Sequence, residues 1–131
     1  MSSESRNVSK AALWIGRILS TLPVLLLLMG PVMFVMNRAE VTKGMHQYGY
    51  PERVALPLVM VELVCALLYA IPRTAVLGAV LLTGYLGGAV ATHVRAGEPI
   101  WWFPVFVGIV IWLGLFLRDR RVRALLPLRT Y

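Results

Sequence analysis

Residues 54–71 read VALPLVMVELVCALLYAI, an apolar run interrupted by one acid, Glu62. A helix of that length rises about 27 Å at ~1.5 Å per residue, which narrowly covers a hydrocarbon core of ~30 Å. The other polar groups in the run are only the Cys65 thiol and the Tyr69 hydroxyl. A carboxyl at mid-membrane depth costs at least ~2.5 kcal/mol, so such a group is paired, protonated or turned toward a polar cavity. The stretch therefore points to a membrane fold and marks Glu62 as the place to look for function.

Three further apolar blocks flank it, residues 12–36, 75–94 and 100–117. All four reach the ~17–25 residues of a spanning helix. The chain of 131 residues is 59% hydrophobic and 15% charged, whereas a soluble domain is about one-quarter charged. The pattern predicts an all-α membrane protein: an antiparallel four-helix transmembrane bundle over residues 12–117. A flexible segment, 1–11, precedes it and a basic tail, 118–131, follows. The first block exceeds the ~7–15-residue apolar stretch of a cleaved leader. It runs on through Pro31 to Met36 and is expected to remain as a span.

The formal charge of +7 is unevenly placed. Arg6, Lys10, Arg17, Arg73, Arg118, Arg120, Arg121, Arg123 and Arg129 fall on one side of the expected bundle, and Arg38, Lys43, Arg53 and Arg95 on the other. Nine basic groups against four put both termini in the cytoplasm, with a bacterial inner (plasma) membrane as the expected location. The tail RDRRVR is short and directly follows a span, which suits an anchor to anionic headgroups better than a nucleic-acid patch. A single cysteine, Cys65, excludes an internal disulfide and a C-x-x-C thiol centre.

The longest connection, residues 37–53, carries Tyr48 and Tyr50 and reads as a loop packed on the bundle. Ile71-Pro72-Arg73-Thr74 is a hairpin short enough to force its two helices to be antiparallel neighbours, with Thr74 expected as the N-cap. Trp101, Trp102 and Phe103 read as an interfacial aromatic belt. In the third span, Gly84 and Gly88 lie four apart, and Thr83, Gly87 and Ala91 continue a row of small residues. Such spacing lets backbones approach closely, inside the bundle or across a homodimer.

Glu62 and Tyr85 lie at similar depth on neighbouring spans, ~12 and ~13.5 Å from the same membrane face. The phenol can hydrogen-bond the carboxyl. Thr92 sits about two turns beyond Tyr85 on nearly the same face, and His93 stands beside it at the mouth. Arg17 approaches from the opposite side and, fully extended, is expected to reach toward Glu62. Glu62, Tyr85, Thr92, His93 and Arg17 are the candidate ligand-binding residues. No nucleophile, cofactor motif or phosphate-binding loop accompanies them. His46 and His93 have no further ligand spaced for a metal site.

Several local sequences resemble one family. They are mid-helix Glu62, the hairpin Ile71-Pro72-Arg73-Thr74-Ala75, the run LLTGYLGGAVATHVRAG over residues 81–97, and the tail pattern of Trp112, Gly114, Leu117-Arg118-Asp119 and Leu126-Pro127. On these the chain resembles the DoxX-like family of small four-helix membrane proteins, over roughly residues 10–128. The resemblance implies a four-helix bundle with cytoplasmic termini and no single activity. Family members are linked to redox partners, quinone-associated processes and antioxidant membrane complexes, and an animal branch acts as an assembly chaperone. Distantly similar bundles bind sterols or quinones. Those that run quinone–thiol chemistry use paired cysteines, which this chain lacks.

The leading expectation is a protein that binds a small lipophilic ligand (quinone, sterol-like or isoprenoid) in an intramembrane pocket around Glu62. Apolar walls with a few placed polar groups suit such ligands. The alternative is an assembly subunit or chaperone for a membrane complex, acting as a homodimer through the glycine seam. An enzymatic role with Glu62 as proton donor or acceptor ranks behind both.

Overall fold

The computed structural model describes residues 9–128. Most of the expected N-terminal segment, and Arg129, lie outside the described residues. Six α-helices follow one another: α1 (Lys10–Met36), α2 (Arg38–Gln47), α3 (Ala55–Ala70), α4 (Ala75–Arg95), α5 (Trp102–Arg118) and α6 (Arg120–Leu125). Short 3₁₀ turns lead into α3, α4 and α5, and four stretches are long and apolar enough to cross a membrane. Only 28% of each span's most apolar window is buried. Most apolar side chains therefore face outward, as they do in lipid, and the helices cohere through a narrow internal seam.

Contacts give the relative directions of the helices. Ser20 of α1 meets Tyr69 of α3, and Gly30 of α1 meets Glu62. Residue numbers thus rise along one helix as they fall along the other. In the same sense Thr83 meets Trp112 and Leu86 meets Gly108 across α4 and α5. We call the end that carries Lys10 and Arg118 the basal end, and the opposite end distal. The core between the helices is built from Leu27, Ala66, Tyr69, Ala79, Leu82, Ile111 and Leu115.

Close approach depends on single glycines. A Cβ at Gly16 would stand 2.8 Å from the Gly114 carbonyl oxygen, and one at Gly114 would stand 2.6 Å from Ser20 Oγ. Side chains at these positions would push α1 and α5 apart. Gly78 likewise lies against the backbone of Tyr69 and closes the α3–α4 hairpin. In that hairpin the expected Thr74 cap does not form. Thr74 Oγ1 instead donates to the Leu68 carbonyl at 2.7 Å and satisfies the C-terminal end of α3.

The connection 37–53 is half helical rather than a plain loop. Asn37 breaks α1 and caps α2, its Oδ1 accepting from the Glu40 N–H at 3.4 Å. Helix α2 then folds back so that Val41 and Met45 pack on Phe34, Ala55 and Val59. It forms a strap over the distal end. The tail also forms a helix, α6, which is tied down because Arg123 donates to the Phe116 and Leu117 carbonyls at 2.7 and 2.8 Å.

Candidate functional site

Glu62 sits midway along α3 and is partly buried, with its carboxyl packed on Gly30 of α1. A Cβ at Gly30 would stand 2.5 Å from Glu62 Oε2, so the missing side chain makes the space the acid occupies. Tyr85 of α4 is the polar group neighbouring Glu62. Tyr50, at the end of the strap, and Cys65 are the next polar groups around Tyr85.

A line of hydroxyls continues outward. Tyr50 Oη and Thr92 Oγ1 are 2.6 Å apart. Thr92 Oγ1 donates to the Gly88 carbonyl at 2.8 Å, as a helical threonine commonly does, so Tyr50 donates to Thr92. These groups border a cavity of about 310 Å³ between the strap, α3 and α4. Its wall includes Tyr48, Tyr50, Gly84, Tyr85, Gly88 and Thr92, and His93 stands at the rim. That volume is at the small end of the ~300–1,000 Å³ range of ligand pockets.

His93 also belongs to a clasp that holds the strap to the distal turn. Tyr48 Oη donates to Glu98 Oε2 at 2.8 Å, and His93 Nδ1 lies 3.0 Å from the same oxygen. The Tyr48 and His93 rings meet edge to face at 5.3 Å. Arg95 donates to the Tyr48 carbonyl at 2.6 Å. The Tyr48 hydroxyl, then the His93 contact, hold the Glu98 carboxyl below its ordinary range. Burial, then the Glu98 hydrogen bond, push the Tyr48 phenol up.

Of the residues expected from sequence, Tyr85, Thr92 and His93 line the cavity, whereas Glu62 neighbours Tyr85 and lies outside the lining. The structure does not bring Arg17 there. Glu62 is level with Gly30, thirteen residues further along α1 than Arg17, or about 20 Å of helical rise. No arginine side chain spans that distance. Arg17 instead lies near Trp14, 5.5 Å from its ring centroid, and borders the basal end with Arg118.

The glycine row also differs from the intrachain reading. A Cβ at Gly84, Gly87 or Gly88 would meet nothing within 4 Å. These three glycines therefore pack against no other helix among the described residues. Gly84 and Gly88 floor the cavity described above. Gly87 and Thr83 face a separate apolar groove of about 650 Å³ along α4 and α5. Thr83 is held there by the Trp112 indole, which donates to its Oγ1 at 2.8 Å. Ala91 is exposed on the same helix.

Tyr48, Tyr50 and Glu98 escaped the sequence reading as site residues, although the aromatics of the connection hinted at packing. A second polar cluster, at the basal end, also escaped. Tyr69 Oη donates to the Ile111 carbonyl at 2.7 Å and lies 3.0 Å from Ser20 Oγ. Arg118 Nε donates to Ser20 Oγ at 3.0 Å. A hydroxyl has one proton to give, so the chain runs from Arg118 to Ser20 to Tyr69 to Ile111. Among the described residues no group of three or more His, Cys, Asp or Glu comes together.

The DoxX-like family model matches residues 18–114. That span contains α2 to α4, most of α1 and α5, and every residue of the cavity and the clasp. No curated protein and no solved structure matches the chain.

Proposed function

The chain belongs to the DoxX-like family, and from that premise we propose that it holds a small lipophilic molecule with a polar head (a quinone, sterol-like or isoprenoid compound) in the distal cavity beside Glu62. One observation carries the reading. A hollow of about 310 Å³ is lined by Tyr85, Tyr50 and Thr92, and Tyr85 neighbours Glu62, which lies outside the lining. A head carrying carbonyl or hydroxyl oxygens finds donors and acceptors there, and its tail finds Leu58, Met45 and Ala89. The same reading puts both termini in the cytoplasm of a bacterium, supported by seven basic groups at the basal end (Lys10, Arg17, Arg73, Arg118, Arg120, Arg121 and Arg123) against four distally among the described residues.

The test is binding of two probes, a short-tailed benzoquinone and a fluorescent sterol, to the full chain in mild detergent. At least one is expected to bind the wild-type protein. Tyr85→Phe removes one hydrogen-bonding group, worth ~1 kcal/mol or slightly more, and weakens that probe about tenfold. Glu62→Gln weakens it similarly while thermal unfolding changes little. Unaltered affinity in both variants, or no binding of either probe to the wild type, defeats the reading.

A second reading, an assembly subunit that dimerises through α4, is favoured by the bare glycine row. The two separate at Gly87, which belongs to the row but not to the cavity. Gly87→Leu breaks a detergent-stable dimer if the row is an interface and leaves probe binding intact if the cavity is the site.

A further inference from the structure

The basal end holds two adjoining cavities of about 560 and 390 Å³ that share Arg17, Pro72 and Arg118. The larger is also bordered by Arg120 and Arg121 and by one acid, Asp119. The Asp119 carboxylate is engaged locally, since it accepts from the Arg121 backbone N–H at 2.8 Å and caps α6. Among the described residues, no carboxylate comes within ion-pair distance of Arg17, Arg118 or Arg121.

Arg118 is held in place by its surroundings. Its Nε–H is given to Ser20, and its guanidinium stands 5.5 Å from the Tyr69 ring centroid. A guanidinium carries five N–H donors in a fork suited to phosphate oxygens, so one bond to Ser20 leaves four. The lining then passes from arginines to Thr21, Val24 and Ala70 along the outward run of α1 and α3. A concentration of positive charge that grades into an apolar wall matches an amphiphile with an anionic head rather than a free ion.

We infer that this basal recess seats the phosphodiester headgroup of an anionic phospholipid, with Arg17, Arg118 and Arg121 around the phosphate and the acyl chains lying along α1. Basic pockets between spans bind anionic headgroups by the same physics. The site is separate from the distal cavity, because the two lie at opposite ends of the spans.

The experiment is native mass spectrometry of the full chain, equilibrated with equal amounts of phosphatidylglycerol and phosphatidylcholine of matched acyl chains and then mildly delipidated. The wild type is expected to retain phosphatidylglycerol about tenfold over phosphatidylcholine. Arg17→Gln combined with Arg121→Gln brings the ratio close to one. Among the described residues these two guanidinia have no hydrogen bond whose loss would unfold the bundle, and Arg17→Lys, which keeps the charge, retains most of the preference. Arg73→Gln, at the same end but outside both cavities, leaves the ratio unchanged. Equal retention of the two lipids by the wild type overturns the inference, as does an unchanged ratio in the double variant. A loss in Arg73→Gln equal to that in the double variant also overturns it, by reducing the effect to general surface charge. Displacement of the lipid by millimolar inorganic phosphate overturns it too, since the recess then takes free anions.

Discussion

Replacing Gly84 and Gly88 together by leucine should fill the distal cavity and leave the bundle standing. Both glycines line the 310 Å³ hollow, and a Cβ on either meets no atom within 4 Å. A leucine side chain takes on the order of 100–150 Å³, judged from the void its removal leaves in a rigid core. Two of them occupy most of the hollow. The helix itself gains, because leucine is more favourable than glycine by nearly 1 kcal/mol per site. A bound head would lose its hydrogen bonds near Tyr85 and Thr92, ~1 kcal/mol each. Affinity for the better of the quinone and sterol probes is therefore expected to fall by at least ~30-fold. The assay is a probe titration on the purified variant, with its thermal unfolding midpoint unchanged or raised. Gly87→Leu, which faces the other groove, serves as the matched control and keeps wild-type affinity. A folded double variant that binds as tightly as the wild type refutes the placement of the ligand. A Gly87→Leu protein that loses binding equally shows that α4 acts through an interface and not through the cavity.

Three other outcomes follow from the geometry. Gly114→Ala puts a Cβ 2.6 Å from Ser20 Oγ and 3.0 Å from its backbone N. The overpacking cost of ~1–3 kcal/mol outweighs the ~1 kcal/mol gained in helix propensity, so the unfolding midpoint drops, and an unmoved midpoint denies the close approach of α1 and α5. Tyr69→Phe strips the buried Ile111 carbonyl and Ser20 of their shared partner; denaturant unfolding should show ~1–3 kcal/mol of lost stability, and no loss means the chain of bonds is absent. Glu98, which faces Tyr48 and His93, with Arg95 bonded to the Tyr48 carbonyl, titrates below its ordinary value of 4.5 in the folded protein. The clasp is therefore intact above the ordinary carboxylate range and opens as pH falls through the lowered value. Protection against hydrogen exchange over residues 45–50, taken relative to the intrinsic rate at each pH, should fall at that acidic pH in the wild type and stay constant there in Glu98→Gln; protection lost instead as pH rises from 5 to 7 contradicts the assignment.

The four long helices were legible because bilayer thickness sets a length that apolar blocks either meet or miss, and here each block met it. The strap was not. Its sequence, RAEVTKGMHQ, offers only Val41 and Met45 as an apolar face and includes Gly44. It is helical because Asn37 caps it and because Val41 and Met45 find Phe34, Ala55 and Val59, partners distant in sequence. The glycines misled for a related reason. Spacing reveals a row of small residues but not which way the row faces. The clustered glycines of α4 lie open, whereas the isolated Gly16, Gly30, Gly78 and Gly114 make the tight contacts. Glu62 and Tyr85 could be set level by counting residues from a shared hairpin. Arg17 could not be placed by side-chain reach, because no hairpin fixes the register of α1 against α3.

The two ends of the bundle differ in how their hydrogen bonds are used, and the difference bears on what each proposed site could take. At the basal end each member of the Arg118, Ser20, Tyr69 and Ile111 chain gives to or accepts from another, and the Gly16–Gly114 contact shuts the helices around them. Tyr69 is 1% exposed, so a headgroup seated basally would meet the remaining N–H donors of Arg118 rather than the buried phenol. At the distal end the Glu62 carboxyl has acceptor sites on both oxygens, with Tyr85 as its polar neighbour among the described residues. Tyr85 stands between that carboxyl's surroundings and the hollow, whose wall it forms with Tyr50 and Thr92. Inside a span, where water does not supply missing bonds, an unmet polar group is costly. On the proposed reading a polar head in the cavity would meet Tyr85, Tyr50 and Thr92, and Glu62→Gln would act on it through Tyr85.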